Sequence, residues 1–97
     1  MSIQLQHYRE QIDDLDNKIL DLVAQRFQIV REVGALKTAQ NIKIVQTQRV
    51  QEVLDRVSAM AHDNNIPTSL IYDLYMSMIE QAHQIETEIK ETHKTSQ

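Results

Sequence analysis

The sequence predicts an all-helical protein with three helices per chain, the first very long, wound together with a second copy as a homodimer. Three observations point there. Only one Gly and one Pro occur in 97 residues, and the tight turns of β structure need many more. Apolar residues in the first forty positions recur in alternating steps of four and three, the signature of a helix packing seam. Aromatic residues are 4% of the chain, so the core must come from Leu, Ile, Val, Met and Ala, which suit helix-on-helix packing.

From about Leu5 to Ala39 the one poor helix former that breaks the run is Gly34. The seam reads Tyr8, Ile12, Leu15, Ile19, Leu22, Arg26, Ile29, Val33, Leu36. Ile3 and Leu5 extend it upstream, and Val23 and Val30 widen it enough to bury against more than one neighbour. Asn41 to Gln48 loses the pattern and reads as a loop, with Thr47 as N-cap of a second helix starting near Gln48. That helix carries Val50, Val53, Leu54, Val57, Met60 and Ala61 on one face. It ends at His62-Asp63-Asn64-Asn65, where Asn tolerates the left-handed backbone of a helix end. Pro67 falls near the first turn of a third helix, whose apolar face runs from Leu70 and Ile71 to Ile85 and Ile89. The segment 91–97 should fray. At 97 residues, the span 1–97 is one domain.

The first helix is too long for its own chain to cover. About 34 helical residues span roughly 50 Å, while a compact chain of this size has a diameter near ~32 Å. The seam therefore calls for a second copy, most simply across a two-fold axis.

Composition excludes several functions. There is no Cys, hence no disulfide or thiolate chemistry. His7, His62, His83 and His93 show no metal-ligand spacing, so neither metal nor cofactor is expected. The N-terminus is polar and no run approaches a membrane span, which leaves the cytoplasm as the expected location. A net charge of −4 disfavours nucleic acid as a partner. It also makes any local group of cations conspicuous.

Arg26 is such a cation. It occupies a seam position, and a guanidinium is costly to bury without a counter-charge. Glu80, Glu86, an Asp of a second copy, or a carboxylate on a ligand could supply one. Lys37 lies eleven residues further on, close to three full turns, so it shares the face of Arg26 with roughly 16 Å between the two Cα atoms. Two long side chains reaching inward leave a gap the size of a small ring. Arg9 is seventeen residues before Arg26, roughly 25 Å away and about 100° round the helix. It cannot easily serve the same site in one chain, but could serve a partner's.

These residues carry a family resemblance. Tyr8-Arg9-Glu10-Gln11-Ile12-Asp13-Asp14-Leu15-Asp16 resembles the opening LRxxIDxxD of the all-helical chorismate mutases. Leu22-Val23-Ala24-Gln25-Arg26 with Val33-Gly34-Ala35-Leu36-Lys37 resembles that family's LLxxRxxxxxxVgxxK. Gln48-Arg49-Val50-Gln51-Glu52-Val53-Leu54 resembles its xRExxvL. The likeness runs over about residues 5–90. It implies a pocket lined by Arg26, Lys37 and Arg49 of one subunit and entered by Arg9 of the other, with the arginines gripping the carboxylates of a small dicarboxylate. It sets Lys37 and Glu86 at the ether oxygen whose bond breaks, and Gln46, Val50 and Ala82 around the ring. The rearrangement is unimolecular and requires conformational restraint and charge stabilisation at that oxygen, with no nucleophile, metal or general base.

Four positions depart from the usual pattern. Glu86 replaces a frequent Gln; a protonated Glu could donate a hydrogen bond there, so activity should fall as pH rises and Glu86→Gln should flatten the profile. Val50 and Gln46 stand where family members often carry Glu and Asp against the ring hydroxyl, and Ala82 replaces a frequent Ser. A less acidic pocket of this kind is similar to that of the isochorismate-pyruvate lyases of the same fold, and would also alter preference toward 4-amino-4-deoxychorismate. A helical dimer without catalysis is the alternative of a different class, since seams of this type are commonly packing alone.

Overall fold

A computed structural model describes residues 2–96, which form three helices and, among the described residues, no strand. They are α1 (Ile3–Gln40), α2 (Thr47–Asp63) and α3 (Thr68–Ser96). α1 starts two residues before and ends one residue after the stretch read from the seam. Its ends have local causes. Ser2 caps the start, its Oγ accepting from the Leu5 N–H at 3.2 Å. At the other end Asn41 turns left-handed with φ 55°. Its N–H returns to the Thr38 carbonyl at 3.4 Å, while the Ile42 N–H reaches Lys37 O at 2.8 Å. This pair of bonds is a Schellman closure.

The same closure ends α2. Asn65 has φ 56°, and the Ile66 N–H donates to Ala61 O at 2.8 Å while that of Asn65 donates to His62 O at 3.2 Å. Asparagine thus does at both corners what glycine commonly does. The start of α2 corrects the expected cap. Thr47 is the first helical residue and Gln46 holds the cap position without a side-chain cap bond. The reason lies in the backbone: Val50 N–H already donates to Gln46 O at 3.1 Å, and Gln46 Nε2 turns back to Lys43 O at 3.4 Å. The loop is therefore 41–46. At the C-terminus α3 runs to Ser96. Thr95 Oγ1 bonds back to Glu91 O at 3.0 Å within that last stretch. Gln97 lies outside the described residues.

α3 is the central element. It packs on α1 along one side and on α2 along the other, whereas α1 and α2 do not pack on each other. The buried apolar residues are Val53, Leu54, Val57 and Ala61 of α2 with Met78, Ile79 and Ala82 of α3. From α1, only Gly34 is buried. The result is a plate of 61 × 28 × 14 Å with a radius of gyration of 17.7 Å, well above the ~12–13 Å of a compact chain of this length. The α1 seam stays open to solvent, with Ile12 56%, Ile19 57% and Leu22 63% exposed.

Gly34 explains how α1 and α3 come together beside Lys37. A Cβ there would stand 2.9 Å from Ile89 Cδ1 and 3.2 Å from both Cα and Cγ of Glu86. The Ile89 methyl can swing aside, but the Glu86 backbone cannot. Alanine would gain about 1 kcal/mol of helix propensity against an overpacking cost of about 1–3 kcal/mol. Urea unfolding of Gly34→Ala is expected to show a net loss near ~1 kcal/mol. A more stable variant would mean that α3 moves away without cost.

Candidate functional site

A hollow of about 370 Å³ opens between the C-terminal half of α1, the 41–46 loop, the first turns of α2 and the middle of α3. That size lies within the range of small-molecule sites. α1 contributes Arg26, Ile29, Val30, Val33 and Lys37, spaced at helical intervals so that one face supplies them all. The loop and α2 contribute Ile44, Gln46, Arg49, Val50 and Val53, and α3 contributes Ile79, Ala82, His83 and Glu86. The walls are apolar, and the polar groups are few and converge.

At the floor, Lys37 Nζ lies 2.6 Å from Glu86 Oε1. Glu86 is 4% exposed, the one charged side chain buried among the described residues. The contact is an ion pair rather than an aligned hydrogen bond, and Oε1 receives no hydrogen bond from elsewhere. The directed bond of the ammonium goes to Ile44 O at 2.7 Å. That bond fastens the 41–46 loop to α1 and leaves a further ammonium hydrogen for another acceptor.

Arg26 takes neither of the counter-charges its own chain could offer. Among the described residues neither Glu80 nor Glu86 pairs with it. Its Cζ sits 5.6 Å from the centre of the Tyr75 ring. A cation–π contact holds the guanidinium without consuming its N–H donors, which remain able to fork onto a carboxylate. Arg49, at the mouth, makes only a long exposed contact to Glu52 at 3.6 Å, of a kind that contributes little.

Seven of the expected positions thus share one hollow: Arg26, Lys37, Gln46, Arg49, Val50, Ala82 and Glu86. Arg9 does not line it. It sits on the N-terminal half of α1, beyond reach within one chain. Two residues escaped the sequence reading. Tyr75 lies within the apolar face of α3, where spacing alone gives it no role beyond packing. His83 was passed over, although Ile79, Ala82, His83 and Glu86 stand at i, i+3, i+4 and i+7 and so share a face. Among the described residues no group of His, Asp and Glu could hold a metal ion, and no helix is long and apolar enough to cross a membrane.

A small apolar hollow with convergent cations and a single buried carboxylate defines a binding site for a small organic anion. The chain belongs to the chorismate mutase type II family, whose model matches residues 8–87. It is similar to the chorismate mutase of Methanocaldococcus jannaschii, 29% identical over 77 residues that cover 79% of this chain and 78% of that one. It resembles the 4-amino-4-deoxychorismate mutase of Streptomyces venezuelae at 29% identity over 83 residues, 86% of this chain and 81% of the relative. It is also 30% identical over 88 residues to the T-protein of Enterobacter agglomerans, where the match covers 91% of this chain but 24% of that protein. This chain therefore spans about a quarter of that relative.

Proposed function

We propose that this chain converts chorismate to prephenate in hollows completed by a second copy. The observation that carries the reading is the convergence of three cations, Arg26, Lys37 and Arg49, around one hollow with a single lining carboxylate, Glu86. Such a hollow is electrostatically matched to a doubly negative molecule. Arg26 and Arg49 grip the substrate's carboxylates, helped by Arg9 of the partner subunit, and hold the enolpyruvyl arm folded over the ring. The ether C–O bond breaks as the new C–C bond forms, and Lys37 donates to the oxygen as charge gathers there. No proton is transferred and no oxidant or cofactor takes part. The single domain 1–97 acts in the cytoplasm as a homodimer; the open α1 seam, unmatched by any surface of its own chain, supports the pairing.

Glu86 faces the same oxygen. As a carboxylate it repels the developing charge, and as a carboxylic acid it donates to it. Glutamine at this position donates permanently, so Glu86→Gln is expected to keep or raise kcat. A severalfold loss of kcat in that variant removes the donor role from this position.

A second reading concerns the substrate's ring. Gln46, Val50 and Ala82 make that part of the wall neutral, which alters the preference at C4 and brings 4-amino-4-deoxychorismate in as an alternative substrate. The deciding experiment incubates the protein separately with chorismate, 4-amino-4-deoxychorismate and isochorismate and identifies the products. Prephenate from chorismate is the expected result. The amino analogue of prephenate would establish the second reading, and salicylate with pyruvate a lyase. No turnover and no thermal stabilisation by any of the three would leave a non-catalytic helical dimer.

A further inference from the structure

We propose that His83 is a substrate-binding contact of the hollow, and that its imidazole donates to the dianionic substrate. The inference rests on the reading of the hollow as a dicarboxylate site. His83 is half-buried and lines the hollow one helical turn from both Ile79 and Glu86. Among the described residues no side chain hydrogen-bonds or ion-pairs with its ring, whose polar atoms thus remain open to a ligand. The other charged groups on the wall are already accounted for. From α1, Lys37 is drawn to Glu86 at 2.6 Å and Arg26 is seated on Tyr75 at 5.6 Å. From α2, Arg49 stands at the mouth beside Glu52. From α3, Glu86 is the remaining titratable neighbour.

The imidazole ring brings an N–H donor that no acceptor among the described residues takes up. It therefore adds a hydrogen bond to the dianion beside the three cations of the wall. His83 lies on the α3 face a turn away from the Lys37–Glu86 contact, so it touches the body of the substrate rather than the bond that breaks. Such a contact is made equally before and during the reaction, and therefore acts on KM rather than kcat. His7, His62 and His93 do not line the hollow and have no part in this contact.

The test measures kcat and KM for chorismate at one pH in wild type, His83→Leu and His83→Gln. His83→Leu should raise KM about tenfold, the scale of one hydrogen bond to a charged group. His83→Gln, which keeps an N–H donor, should stay within about threefold of the wild-type KM. The value of kcat should be unchanged in both. Circular dichroism identifies a variant that fails to fold, and the other then decides. A His83→Leu KM equal to that of wild type, a His83→Gln KM raised as far as that of His83→Leu, or a loss confined to kcat, overturns the inference while the proposed function stands. Wild-type protein that neither converts chorismate nor is thermally stabilised by it overturns both.

Discussion

Replacing Lys37 with alanine is expected to lower kcat for chorismate about 10²–10³-fold, the usual consequence of losing one donor aimed at developing negative charge. The substitution removes three contacts at once. In the proposed mechanism the donor to the ether oxygen goes, the loop loses its 2.7 Å bond to Ile44 O, and Glu86 loses the cation 2.6 Å away. Stranding a buried charge costs about 3–5 kcal/mol. The Lys37 side chain keeps 16% exposure, so the lower end of that range is expected in urea unfolding. The double variant Lys37→Ala/Glu86→Gln separates these effects. It should regain much of the stability, because the stranded carboxylate is gone, and none of the activity. Additive losses in stability would show that the two side chains are not coupled.

The second large effect is expected on the open seam. Ile19 is 57% exposed in the single chain. Were the chain monomeric, Ile19→Glu would change stability by no more than about 0.5 kcal/mol. In a homodimer joined along α1, two-fold symmetry enters the change twice and sets both carboxylates against apolar surface. The dimer should then weaken at least about 100-fold, roughly 3 kcal/mol. Light scattering should give twice 11.3 kDa for wild type and the single-chain mass for the variant. Under the proposed function activity should fall with the dimer, because the hollow would lose Arg9 of the partner subunit. A variant that keeps wild-type mass and rate would place the pairing surface elsewhere.

Local physics made much of this legible in the sequence. The seam of α1 follows from a period of four and three, and Asn64-Asn65 marks a corner because asparagine accepts a left-handed backbone. Arg26 stood out because a cation on an apolar stripe is costly to bury. The unseen features depend on neighbours far along the chain. Nothing near Arg26 announces that Tyr75, half the sequence away, supplies its seat. Gly34 read as a weakness in a helix, whereas its purpose is the close approach of Glu86 and Ile89. Thr47 is a good capping residue, yet the hydrogen bond from Val50 to Gln46 starts the helix one residue sooner. His83 could have been found from its i, i+4 spacing from Ile79 and its i, i+3 spacing to Glu86, but a helix wheel alone cannot say which stripe faces a cavity.

The plate is 14 Å thick, barely more than the 10–12 Å diameter of one helix with its side chains. Material so thin has little middle: apart from the few residues buried between α2 and α3, most side chains are one step from an outer face. Words such as inside and outside would consequently describe a pair of copies better than one polypeptide. A ranking of substitutions by solvent access in one copy would count Leu22 among the harmless positions and Val57 among the grave ones, although in the proposed pair both sit in an interior.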